Sequence, residues 1–155
     1  MQSVLGWISA SRVARGVADS AMLTAWLSAV HALAFTLVTG SALVTNLRAL
    51  GALLTRTELH DVVAPANRAI LVGLTVSVAT GGLLFSARAV EAAANGWFQL
   101  KMLLLVVAAV FQFTILAAAA REPSAARNRI VASGAVGLTL WLGLAVAACA
   151  FILLE

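Results

Sequence analysis

Apolar residues dominate four long, almost uncharged stretches of this chain, roughly 21–47, 62–87, 98–120 and 130–154. Each reaches the length of about 20 apolar residues that a helix needs to cross a bilayer. Their connections are short, so consecutive helices should run antiparallel, up and down. The pattern predicts an all-α, integral membrane four-helix antiparallel bundle in a single domain, 1–155. Ahead of the first span, Val4, Ile8, Val13 and Val17 recur near helical spacing beside Arg12 and Arg15, which predicts a short interfacial helix over 1–20 rather than a cleaved signal peptide. Asp19 or Ser20 then caps the first spanning helix.

Turn and cap residues punctuate the connections. The first holds Gly51, the segment TRTE and Pro65, and the spacing of Thr55 and Glu58 fits a capping box that opens a short helical turn outside the membrane. The second ends in an Asn95-Gly96 turn, and the third contains Pro123.

Polar and small positions inside the spans are not scattered. Thr24, Ser28, His31, Phe35, Val38, Ala42 and Thr45 share one face of the first helix. Lys101, Leu105, Ala108 and Gln112 share one face of the third. Polar groups facing hydrocarbon are costly, so both faces should look into the bundle. Gly73, Ser77 and Gly81 on the second span, and Ser133, Gly137, Gly143 and Ala147 on the fourth, form small-residue ridges of the kind that let membrane helices approach closely, with a dimer contact as their other use. Cys149, the only cysteine, rules out an internal disulfide and reads as a small packed hydrophobe.

His31 stands out. About ten residues into its span, it lies some 15 Å deep, near mid-membrane. Lys101 enters the third span from the same rim and Arg88 ends the second there, so the three form a column descending from the interface. A neutral imidazole at that depth suits haem iron, and cations nearer the headgroups suit haem propionates. The plainer reading is a histidine hydrogen-bonded to a neighbouring helix, with Lys101 and Arg88 reaching for the interface. Small residues such as Ala34, Ala42 and the second-span glycines would leave room for a flat macrocycle. His60, the other histidine, sits in the first connection at the opposite rim. A haem here is therefore five-coordinate, shared by a His31 pair across a dimer, or ligated by Lys101 or Met102. The spans carry no deep carboxylate relay, Met1, Met22 and Met102 form no copper-binding run, and no hydrolase or phosphate-binding motif is present.

Composition agrees with a membrane domain: 63% of residues are hydrophobic and 10% charged, with a net charge of +4. The arginines are divided between the rims rather than clustered, which suits phospholipid headgroups and argues against nucleic acid. Arg48, Arg56, Arg68, Arg121, Arg127 and Arg129 outnumber Arg12, Arg15, Arg88 and Lys101. The first set marks the cytoplasmic rim and leaves the termini periplasmic in a bacterial inner membrane.

The segments VHALAFTLVTGSALVTNLRALG, TGGLLFSARA and NGWFQLKMLLLV resemble a bacterial family of small four-helix membrane proteins known as a domain of unknown function, from about residue 7 to the end of the third span. More distantly the chain is similar to the HemJ-type protoporphyrinogen oxidases and the CopD-type copper-resistance membrane proteins. The HemJ resemblance implies that His31 binds haem b and that Lys101, in GWFQLK, is functionally required. The glycine and arginine after His31 fall at other spacings than in the HemJ group, which detaches haem binding from protoporphyrinogen oxidation. The expectation is a haem-b protein of membrane redox chemistry or electron transfer, as a homodimer or a subunit of a membrane complex. His31 is the axial ligand, and Arg88 and Lys101 are the flanking cations. A non-catalytic accessory subunit and a CopD-like small-solute or copper permease are the alternatives.

Overall fold

The computed structural model describes residues 2–122 and 126–153. Met1, Pro123 of the third connection and Leu154, read above as the end of the last span, lie outside the described residues. Every regular element among the described residues is helical: α1 (Gln2–Ser9), α2 (Arg12–Ala18), α3 (Ala21–Ala49), α4 (Leu59–Ala87), α5 (Ala89–Ala94), α6 (Gly96–Phe111), a π-helical turn (Gln112–Leu116), α7 (Ala117–Arg121) and α8 (Arg127–Leu153). Helices α3, α4, the continuous third segment Gly96–Arg121 and α8 are each long and apolar enough to cross a membrane. Large apolar side chains such as Leu33, Leu103 and Val146 point outward at 61–72% exposure, the surface a bilayer covers.

The helix ends follow local chemistry. Ser20 caps α3, its hydroxyl accepting from the Leu23 N–H at 3.3 Å. Gly51, at φ +76°, closes α3: its N–H donates to the Arg48 carbonyl and that of Ala52 to the Leu47 carbonyl, a left-handed stop that favours glycine. The Thr55–Glu58 box does not form. Thr57 N–H turns back to the Leu54 carbonyl, Arg48 Nε donates to the Thr57 carbonyl at 2.8 Å, and α4 starts only after Glu58, whose side chain makes no cap bond. Pro65, expected in the connection, is an exposed residue inside α4. The N-terminal segment is two helices, because Ser11 accepts from the Ala14 N–H and starts α2 afresh. Helix α2 buries Ala14 and Val17 against α3 and α4, and Thr24 Oγ1 ties it down by donating to the Val17 carbonyl at 2.7 Å.

Around the bundle, α4 lies on α3, α3 on α8 and α8 on α6, while α7 returns to α4. The pairs are antiparallel and close. Gly73 sits against Val38 and Ala34, and Gly134 against Ala49 and the backbone of Asn46 and Leu50. The core between them holds Val38, Ala42, Ile70, Ala108, Trp141 and Leu144. Two further expectations need correction. Ser28 of the α3 stripe is exposed, lying between Thr24, which is tied to α2, and His31, from which the stripe runs into the bundle. Cys149 is exposed on the outer face of α8 rather than packed inside.

Candidate functional site

The ring of His31 lies against α4. Its Nδ1 is 2.9 Å from the backbone carbonyl oxygen of Ser77, 3.2 Å from Thr80 Oγ1 and 3.4 Å from Ser77 Oγ. A carbonyl only accepts, so Nδ1 carries a proton, and in the neutral imidazole Nε2 then holds the lone pair. Thr80 spends its own hydroxyl proton on the Val76 carbonyl at 2.7 Å, which leaves its oxygen to accept weakly from the same Nδ1–H. Gly81 makes the approach possible. A Cβ there would stand 2.9 Å from His31 Cε1 and 3.3 Å from Nδ1. The ring is half-buried, and Nε2 makes no hydrogen bond among the described residues.

One turn nearer the terminal-side rim, Phe85 of α4 stacks on Phe98 of α6 with ring centroids 5.3 Å apart, and Phe151 of α8 joins Phe98 at 5.6 Å. Lys101 Nζ lies 5.0 Å from the Phe98 centroid and 4.5 Å from that of Phe151, a cation held over two aromatic faces. Asn95 sets the start of this helix, its Oδ1 accepting from the Trp97 and Phe98 N–H groups at 2.8 and 3.2 Å. The structure thus brings His31 and Lys101 to one region of the bundle. Arg88 lies at the α4–α5 junction, paired with Glu91 at 3.1 Å, both side chains largely in solvent or headgroups. His60 is exposed on the opposite rim, and Met102 is turned outward.

A second polar layer, deeper toward the arginine-rich rim, was not singled out by its residue pattern beyond Thr45 and Gln112. There Gln112 Nε2 donates to Asn67 Oδ1 at 2.8 Å and to Thr45 Oγ1 at 3.3 Å, so the stripes of the first and third spans meet through these two residues. Asn46 is fully buried, its Nδ2 donating to the Ala42 carbonyl at 2.7 Å and its Oδ1 resting where a Cβ of Gly137 would be. Gln112 also opens the π-helical turn, a widened turn of the kind often found at functional positions. The available signal was the presence of two asparagines, Asn46 and Asn67, at the inner ends of apolar runs.

The donor chemistry around His31 fits one axial position of a haem: a half-buried neutral imidazole whose far nitrogen is fixed by a carbonyl. The expected room does not come from Ala34, Ala42, Gly73 or Gly81, whereas Gly82, also among the second-span glycines, has open space around it. Ala34 and Gly73 are filled by each other's helices, Ala42 lies under the core, and Gly81 is filled by His31 itself. Compared with known protein families, curated proteins and solved structures, the chain matches none.

Proposed function

We propose that the chain is a haem-b-binding integral membrane protein of redox chemistry or electron transfer, with His31 as the axial ligand of the iron. The observation that supports this most is the 2.9 Å contact between His31 Nδ1 and the Ser77 carbonyl. It selects the tautomer with a free Nε2 lone pair, fixes the ring plane and makes the imidazole a stronger donor, as the outer partner of a ligating histidine does. Haem b, when bound, supplies reversible one-electron chemistry at its iron. The chain's own residues would hold and tune it: Ser77 keeps the proton on Nδ1, Gly81 lets the ring lie flat on α4, and Lys101 supplies positive charge toward which a propionate is drawn. Arg88, shared with Glu91 at the interface, is the weaker candidate for a second propionate.

The same reading places the chain in a bacterial inner membrane as a homodimer or a subunit of a larger complex. The excess of arginine on the rim of the first and third connections puts that rim in the cytoplasm and the termini in the periplasm.

A visible spectrum tests the proposal. Detergent-purified protein supplied with stoichiometric haem b should show a Soret band with reduced α and β bands. His31→Ala should lose them and regain them with added imidazole, while His60→Ala should keep them. A colourless wild-type protein overturns the reading. It would then favour an accessory subunit, recognised by a stable heteromeric complex in mild detergent, or a permease, recognised by uptake into liposomes without reductant.

A further inference from the structure

On the outer face of the bundle, between the third span and α8, a groove of about 230 Å³ is lined by Phe111, Ile115, Arg129, Ala132, Ser133 and Val136. Its origin is local. The π-helical turn spans Gln112–Leu116 and carries Ile115 outward, while Ala132 and Ser133 on the facing helix are too small to close the gap. The one hydroxyl in the groove is already spent, because Ser133 Oγ donates to the Ile130 carbonyl at 2.8 Å. The walls therefore offer apolar contact and no polar recognition.

Depth and charge identify what fits. Arg129 lies in the first turn of α8, at the level of the headgroups, and Val136 lies seven residues farther along, about 10 Å deeper at helical rise. The groove thus runs from the interface down into the hydrocarbon, the course of a lipid chain. At its mouth Arg129 Nη1 is 3.2 Å from Glu122 Oε2, an exposed pair that leaves the other guanidinium N–H groups available. Arg121 and Arg127, both exposed, belong to the same connection, whose residues 121–129 hold three arginines and one carboxylate, Glu122. A second copy of the chain in the same membrane orientation would set Arg129 against Arg129 at one depth, which disfavours it as the occupant.

We propose that this groove is a binding site for an anionic phospholipid of the surrounding bilayer, one acyl chain lying along Ile115 and Val136 and the phosphate meeting Arg129. Basic positions beside an apolar interhelical groove are the chemistry that selects such lipids over zwitterionic ones. The site is independent of any haem at His31.

Native mass spectrometry of delipidated protein, titrated with phosphatidylglycerol or phosphatidylcholine in mixed micelles, tests it. Phosphatidylglycerol should be retained in preference, with one tightly held molecule per chain. Arg129→Gln should weaken its retention about fivefold, the weight of one arginine at an anionic surface, and Glu122→Gln should strengthen it. Ala132→Phe, which fills the groove, should remove the tight molecule. Ile115→Trp, which narrows it from the other wall, should do the same if Ala132→Phe fails to fold. Equal retention of the two lipids by the wild-type protein, or unchanged retention in a folded groove-filling variant, overturns the proposal.

Discussion

His31 and Gly81 occupy one gap between α3 and α4: the imidazole lies where a side chain at position 81 would begin, with Cε1 2.9 Å from the site of a Cβ. Glycine at 81 and histidine at 31 are therefore a matched pair, and the hydrogen bond to Ser77 depends on both. Gly81→Ala should push the ring off the Ser77 carbonyl. Overpacking costs about 1–3 kcal/mol, partly offset by about 1 kcal/mol from the better helix propensity of alanine. The neighbouring Gly82, with open space around its Cα, is the control: Gly82→Ala should be neutral or slightly stabilising. Unfolding in detergent compares the two, and under the haem proposal Gly81→Ala alone should weaken the Soret band.

Asn46 and Gly137 form a second matched pair, between α3 and α8. A Cβ on Gly137 would fall on the amide of Asn46, which is fully buried and anchored through Nδ2 to Ala42. Gly137→Ala should destabilise the bundle by about 1–3 kcal/mol. Combining it with Asn46→Ala removes the obstacle, so the double variant should be more stable than the sum of the single effects indicates. A double-mutant cycle on unfolding midpoints reads the coupling, and strict additivity would show that the two residues do not compete for that space.

Much of this architecture was legible in the residue pattern. Span positions follow from apolar length, which is why α3, α4, the third span and α8 appear within a few residues of their expected bounds. The small-residue ridge of Gly73, Ser77 and Gly81 and the polar stripes, Ser28 apart, needed only helical periodicity to be placed inward. What periodicity could not give was the partner across each interface. That Gly81 receives His31, rather than leaving a void beside it, depends on the rotation of two helices about their axes. The same holds for Asn46 against Gly137. The capping box failed for a related reason: Thr55 and Glu58 have the right spacing, but Arg48, ten residues before Glu58, holds the loop through the Thr57 carbonyl and delays the helix. Arg88 was placed at the correct rim, yet only the folded α4–α5 junction shows it beside Glu91.

Gln112 and Asn67 give a test of buried polarity. Their 2.8 Å bond joins the buried Gln112 of the third span to the half-buried Asn67 of α4, and an amide left there without a partner is costly. Gln112→Leu should strand Asn67 Oδ1 and cost about 1–2 kcal/mol, the range of interhelical hydrogen bonds within membranes. Adding Asn67→Leu removes the stranded group and should recover a large part of that loss. Thermal unfolding of the three variants checks this, and a double variant no more stable than Gln112→Leu would show that the cost lies in packing at the π-helical turn.

Asn95 links the chain's capping chemistry to the candidate site. Its Oδ1 takes the first N–H groups of α6, at Trp97 and Phe98, and so fixes the turn from which Phe98 and Lys101 project. Asn95→Ala should cost about 1 kcal/mol through the lost cap and loosen the Phe85–Phe98 stack, which closes the bundle above His31. Asn95→Asp should hold stability or raise it slightly, since aspartate caps as well as asparagine and adds negative charge at the positive end of the helix. Unfolding midpoints order the variants as Asp at or above wild type and Ala below. If Ala equals wild type, the start of α6 is held by the aromatic cluster rather than by its cap, and Phe98→Leu should then show the larger loss.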